Sequence, residues 1–325
     1  MSWLRSCISR LESTQSFFLE TIMVIFLLVY SVVRSAILWF MPKRYKDISD
    51  DIVLITGGGR GLGRMLAMEF AKHNPRHIIL WGRNEDHLRA TTKAVRCRNV
   101  GCTYMVCDVS NKQLVYDKAQ EVKENIGTVT ILVLNAGVVF GKDVVHSEDH
   151  EIERTFQVNA ISQFWTVKSF LPGMIKNNKG HIVTISSMLA FMGLAGAADY
   201  CATKCATTGM AESLHYELLS GRMCNIHVTT VHPYVINTDM FAGLKTRMDW
   251  LIPHLDKEYV AWKSLDAILT NQHQVLMPRV MYLIVIAKAL LPVQAIYTIS
   301  KYTGADTAMH GFYARNRRCD TDAAK

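Results

Sequence analysis

The sequence predicts an α/β fold, a doubly wound parallel sheet in a single domain, with an apolar helix of membrane-anchoring type ahead of it. Three observations carry this. Short apolar runs alternate with helical patterns from Ile52 to about Val231 without an intervening linker. The first run feeds a glycine-rich turn that opens a helix. Residues 17–41 form a nearly unbroken apolar stretch.

The elements follow in order. Ile52 to Ile55 are four consecutive apolar residues, as a strand buried on both faces requires. TGGGRGLG begins at Thr56, and Met65, Leu66, Met68 and Phe70 mark the buried side of the helix that follows. Gly57, Gly61 and Gly63 permit a tight turn and close backbone approach to a pyrophosphate resting on the helix N-terminus. The pattern TGxxxGxG is a variant of the usual dinucleotide fingerprint; a ligand-free strand-to-helix turn is its plain alternative. HIILWGR, from His77, is the second strand, and Thr103 to Val106 the third. CDVS follows that third strand, where Asp108 could accept from an adenine amino group. ILVLNAG ends in a turn at Gly137, and HIVTISS delivers Ser187 to the same edge of the sheet.

Tyr200 and Lys204 are four residues apart, one turn along a helix. A tyrosine moves a proton near neutral pH only if its phenolate is stabilised, since its unperturbed pKa is about 10. A lysine on the same face supplies that charge, and the Ser187 hydroxyl can hold the oxygen that gains or loses the proton.

At the end of the second strand, about twenty residues past the glycine turn, an acidic residue would select NAD. Gly82 and Arg83 stand there instead, and Arg60 lies within the turn. Two guanidiniums suit a 2′-phosphate, which favours NADPH/NADP; ordinary surface arginines are the alternative.

A helix from Phe17 to Ile37 would span about 30 Å, the thickness of a bilayer core. Glu20 and Arg34 would sit near its two boundaries, and Pro42 ends it ahead of Lys43, Arg44 and Lys46. These basic residues favour a cytosolic catalytic side. A cleavable signal is not expected, because no small-x-small site precedes Pro42. Spanning and shallow monotopic insertion both fit.

The expected organisation is an N-terminal segment, 1–47, with an anchor helix at about 17–41. A dinucleotide-binding catalytic domain follows over 48–270, with a substrate lid at about 239–260. A C-terminal extension, 271–325, carries an apolar helix at about 280–299 that either lies on the membrane or closes the core. The eight cysteines show no metal spacing and read as free buried thiols, so no metal is expected. The net charge of +8 suits a membrane surface or a phosphate-bearing cofactor. No nucleic-acid module accompanies it.

Together these motifs resemble the short-chain dehydrogenase/reductase family. The residues that carry the likeness are Thr56-Gly57-x-x-x-Gly61-x-Gly63, Asn135-Ala136-Gly137, Asn159, Ser187, Tyr200 and Lys204. The likeness covers roughly residues 50 to 240. It implies a Rossmann fold, with Tyr200 as general acid/base and Ser187 polarising the substrate carbonyl. It makes Lys204 the ribose ligand that lowers the tyrosine pKa, and Asn159 the holder of a relay water. It further assigns Leu62, Val109, Pro233 and Thr238 to the cofactor, beside Arg60, Arg83 and Asp108. Tyr234 replaces the family's glycine in HPYVINTDM, which brings the local backbone into question.

In the lid, Met240, Phe241, Leu244, Met248, Trp250 and Leu251 would make an apolar wall, so a lipophilic carbonyl or alcohol is expected. ITGGGRGLGR, LWGR, GHIVTISS and ADYCATK resemble the membrane-bound retinal/retinol subfamily. That likeness implies reduction of all-trans-retinal to retinol with NADPH, at endoplasmic reticulum or lipid-droplet membrane. It also allows a homo-oligomer, or a hetero-oligomer with another short-chain retinol dehydrogenase. Steroid or fatty-aldehyde turnover on the same site is one alternative, and a catalytically weak regulatory subunit of a retinol dehydrogenase is another.

Overall fold

The computed structural model describes residues 17–34, 37, 41, 43–223, 225–244, 247 and 253–312. They fall in two compact units, divided between Tyr45 and Lys46. The N-terminal unit contains helix α1 (Phe17–Arg34), long and apolar enough to cross a membrane, with none of it buried inside the protein. The remainder of the expected stretch to Met41, apart from Ile37 and Met41, lies outside the described residues, as does Pro42.

The second unit is built on a seven-stranded parallel sheet. Its strands are β1 (Ile52–Thr56), β2 (His77–Gly82), β3 (Cys102–Val106), β4 (Ile131–Leu134), β5 (Gly180–Ile185), β6 (Ile226–Pro233) and β7 (Gln274–Met277). Their order is β3-β2-β1-β4-β5-β6-β7, so the winding reverses between β1 and β4. Ile52 aligns with His77 on one side of β1, and Val53 with Ile131 on the other. The central strands are buried on both faces, which explains their unbroken apolar sequences.

Helices cover both faces. α2 (Gly61–Ala71) and α8 (Lys257–Leu269) pack on one side, where Leu66, Phe70, Leu265 and Ile268 join Val53 and Val231 in one core. α4 (Lys112–Asn125), α6 (Ser162–Lys176) and α7 (Ala198–Ser220) pack on the other with Leu54, Trp81, Leu132 and Phe170. Burying one such Leu, Ile or Phe contributes about 1.5–3 kcal/mol. In α2 the fully buried residues are Leu62, Leu66, Ala67 and Phe70 among others, whereas Met65 and Met68 are only half-buried. α3 (Glu85–Arg96) is capped by Asn84, which accepts from the His87 N–H at 2.8 Å. α5 (Asp149–Phe156) runs through a wide π turn, Gln157–Ile161, into α6.

The domain's contacts reach past both expected boundaries. Lys46 N–H donates to the Leu269 carbonyl, and its Nζ lies 2.6 Å from His181 Nδ1, so the domain begins ahead of residue 48. β7 lies beyond residue 270, inside the segment the sequence reading set apart as an extension. After it come α9 (Val280–Leu290) and α10 (Val293–Thr303), separated at Leu291-Pro292. The single helix expected at 280–299 is thus two, because Pro292 cannot continue α9. The chain then returns: Ala308, Met309 and Phe312 bury Leu244 in a small cluster with Phe241 packed against it. Gly243 and Gly311 meet backbone to backbone there, and a Cβ on Gly311 would lie 2.2 Å from the Gly243 oxygen.

Candidate active site

A cleft of about 590 Å³ opens at the carboxyl edge of the sheet, across the β1/β4 reversal. Its floor is the β1–α2 turn. Gly57 takes a left-handed φ of +67°, and a Cβ on Gly63 would lie 2.2 Å from the Gly57 oxygen, so only glycine allows α2 this close. No side chain caps α2. Its first turn, Gly61, Leu62 and Gly63, lines the cleft, an arrangement that favours an anion.

The next strand is clasped to this turn. Thr56 Oγ1 accepts from the Asn135 and Ala136 N–H groups at 3.0 and 3.1 Å, and Asn135 Nδ2 donates to the Thr56 oxygen at 2.9 Å. Asn135, Ala136 and Gly137 line the cleft, whereas Thr56 lies behind it as a brace. Asn159, placed by the π turn, is fully buried and also absent from the lining. Its Oδ1 accepts from the Val138 N–H at 2.8 Å, and its Nδ2 donates to the Val138 oxygen and to Thr203 Oγ1. Its side chain ties the β4 turn to α7.

The reactive wall comes from β5 and α7. Ser187 Oγ accepts from the Leu189 N–H at 3.1 Å and is hydrogen-bonded to Tyr200. Lys204 Nζ donates to the Ile185 oxygen at 2.9 Å and lies 5.4 Å from the Tyr200 ring centroid. Ser186 Oγ donates to the Lys204 carbonyl at 3.1 Å, fixing α7 to the strand end. Phe241 meets the Tyr200 ring edge-on at 5.7 Å. Burial raises the Tyr200 pKa above its ordinary value, against the lowering effect of the Ser187 bond. Burial also lowers Lys204 to about 8. In this state burial outweighs the expected stabilisation of the Tyr200 phenolate, so the hydroxyl keeps its proton at neutral pH.

At the other end Arg60, Gly82, Arg83, Asn84 and His87 line the cleft. Asp108 and Val109 join them, but Asp108 is already engaged, accepting from Arg154 Nη2 at 2.7 Å and from Ser110. Burial alone would raise the Asp108 carboxyl; Arg154 and Ser110 outweigh it and hold the carboxyl below the usual range. Leu62, Pro233, Thr238, Met240 and Phe241 line the cleft. Leu244 does not: it is buried behind the wall against Ala308, Met309 and Phe312. Met248, Trp250 and Leu251 lie outside the described residues.

Tyr234 stands where the family has glycine, yet it is not among the left-handed residues. Its N–H donates to the Met277 oxygen at 2.8 Å, so the backbone here is ordinary and the side chain lines the cleft. Arg154, His87, Asn84 and His232 take part in or support the site without a signal in the sequence, because each is brought in by packing rather than by motif spacing. Cys97 and Cys205 are exposed, contrary to the expectation of buried thiols, whereas Cys102 and Cys107 are buried as read.

The similarities are of one kind. Residues 51–249 match the short chain dehydrogenase family. The chain is 42% identical to human "Short-chain dehydrogenase/reductase 3" over 89% of its own length and 95% of that protein's. It is 36% identical to "Retinol dehydrogenase 10-B" of Danio rerio, over 92% and 95%. It is 38% identical to "Epidermal retinol dehydrogenase 2" of Mus musculus, over 89% and 93%. Among solved structures, a short chain dehydrogenase/reductase from Burkholderia phymatum in complex with NAD superposes with a TM-score of 0.68 at 22% identity, covering 75% of this chain and 94% of that one. An alcohol dehydrogenase from Thermococcus sibiricus complexed with 5-hydroxy-NADP gives 0.62 at 20%, covering 70% and 95%. The chain belongs to the short chain dehydrogenase family of oxidoreductases.

Proposed function

We propose that the protein is a membrane-associated, NADPH-dependent reductase of a lipophilic carbonyl, most specifically all-trans-retinal to all-trans-retinol. The observation that carries this is the Ser187–Tyr200–Lys204 wall facing a cleft whose floor is an uncapped, glycine-cradled helix N-terminus. The residues fit a dinucleotide: a side chain at Gly63 would collide with the Gly57 backbone, and two arginines stand at the opposite end of the cleft. A nicotinamide dinucleotide bound there supplies the hydride.

The chain's own residues do the rest. Lys204 presents a cation for a ribose hydroxyl. Ser187 Oγ holds the substrate oxygen beside Tyr200. Tyr200, kept protonated by burial, donates its proton to that oxygen as negative charge develops on it. A protonated donor supports the reductive direction. Arg60 and Arg83 support NADPH, and Asp108, which lines the same cleft, is held by Arg154. Met240 and Phe241 give the far end an apolar wall, and the relatives named as retinol dehydrogenases support a retinoid. α1 supports anchoring, and we place the enzyme at endoplasmic reticulum or lipid-droplet membrane with its catalytic side in the cytosol. An oligomer with itself or another retinol dehydrogenase is part of this reading.

The test is turnover by the full chain in membranes, with all-trans-retinal, a steroid ketone and a long-chain aldehyde, each with NADPH and NADH. Retinal reduction with NADPH should exceed the other combinations at least tenfold. A faster steroid or fatty aldehyde would replace the substrate, and no turnover with any would leave a non-catalytic subunit.

A further inference from the structure

We infer that α9 and α10 form a second membrane contact, an acyl-chain-facing surface seated directly on the loop that carries Ser187. α9 has two unlike faces. Met281, Ile284 and Val285 pack inward against Met188, Phe191 and Tyr234. Lys288 Nζ, one turn further along that side, donates to the Phe191 carbonyl. The opposite face carries Leu283, Ile286 and Leu290, each more than half exposed, and Val293 at the start of α10 is 81% exposed. Such a run of large apolar side chains exceeds the scattered surface residues that need no explanation.

The occupant is a lipid surface on three grounds. Between Asp266 and Asp306 the chain has no acidic residue, while exposed Arg279 and Lys301 flank the apolar face, the pattern of a helix lying in an anionic interface. Tyr282, Tyr297 and Tyr302 are exposed along it, the residue type enriched at headgroup level. The same chain carries α1, of spanning length, so a bilayer is a surface the domain meets by covalent connection. A second copy fits less well, because a two-fold contact through this face would bring the same basic flanks together. The lipid-facing side of α9 is then one helix thickness, about 10 Å, from the Ser187 loop. An apolar molecule leaving the bilayer would meet the reactive wall without crossing bulk water.

This inference does not depend on the identity of the substrate, and its test reads lipid contact directly. The full chain would be reconstituted in vesicles of phosphatidylcholine and phosphatidylserine containing a lipid with a photoreactive acyl chain, and labelled peptides mapped by mass spectrometry. Label is expected on peptides from 280–302 as well as from α1. Replacing the exposed side chains (Leu283→Glu, Ile286→Glu, Leu290→Glu) should lower the 280–302 label at least fivefold and leave the α1 label unchanged. The label on α1 reports that the variant is inserted, and unchanged circular dichroism that it is folded. Label confined to α1 would overturn the inference, and so would cross-links between copies through Lys288 or Lys301, formed in a parallel sample with a lysine-reactive cross-linker, in place of lipid adducts.

Discussion

His232 Nδ1 lies 3.2 Å from the carbonyl oxygen of Ser187. A carbonyl only accepts, so Nδ1 carries the proton, and Nε2 is left to accept from Gln274 Nε2 at 3.1 Å. Phe191 covers the ring at 4.7 Å. A fully buried imidazole thereby fixes the backbone of the residue whose hydroxyl meets Tyr200. His232→Leu should lower kcat by roughly tenfold to a hundredfold, the range for one buried hydrogen bond left unmade. Nucleotide affinity should stay within twofold. His232→Asn, whose amide can donate to the same carbonyl, should recover part of the loss. Equal kcat in wild type and His232→Leu would remove the positioning role.

Acid should act on the same residue. Burial lowers His232 to about 4, partly opposed by its bond to Ser187. The unfolded chain, with an ordinary imidazole near 6.5, binds more protons between those values, so stability present above 6.5 is lost as pH falls toward 4. The full contribution is about 3 kcal/mol. Between pH 7 and pH 5 the Tm in detergent should fall on the order of 5 °C further for wild type than for His232→Gln.

Tyr200→Phe should abolish turnover while nucleotide binding stays near wild type, since only the proton donor is lost. Ser187→Ala should reduce kcat by about a hundredfold. Fluorescence titration with NADPH beside a turnover assay separates the two effects. Activity within tenfold of wild type in Tyr200→Phe would place the donor elsewhere.

Lys204 has a pKa of about 8 because burial disfavours its charge. If it binds the ribose as an ammonium, the Kd for NADPH should be flat at pH 6.5–7.5 and climb toward tenfold per pH unit above 8. Lys204→Met should bind more weakly and without that rise. A wild-type profile that stays flat to pH 9 would exclude the ammonium contact.

Gly82→Asp with Arg83→Ile should move the kcat/KM ratio from NADPH toward NADH, and Arg60→Ser should add to the shift. Each lost charge-assisted bond is worth roughly 1.5–3 kcal/mol, or tenfold and more. A Cβ on Gly82 would meet Leu88 Cδ2 at 3.2 Å, so Leu88→Ala is the companion change if the variant folds poorly.

Much of this was written locally. The strands β1, β2, β4 and β5 are buried on both faces and so could not avoid showing as apolar runs. Tyr200 and Lys204 share a helix face, so their spacing survives in the sequence. β7 was harder to see: Gln274–Met277 is four residues long and takes its place only by pairing with β6. Leu244 looked like any lid residue, because what distinguishes it is the return of residues 308–312 from the far end of the chain. His232 and Arg154 act across distances that no spacing rule connects. Asn159, Ser187, Tyr200 and Lys204, which the family likeness groups together, also divide: Asn159 is fully buried away from the cleft that the other three face.

The Gly243–Gly311 contact separates two kinds of change. The nucleotide end of the cleft is assembled from residues before Gly137, whereas the base of its far wall is propped by residues 308–312. Edits near residues 308–312 would therefore retune which molecules fit without touching the glycine turn or the arginines. Deleting residues 308–312 would be felt at the mouth of the cleft, and an assay on such a variant would report altered selectivity in an enzyme whose nucleotide affinity is intact.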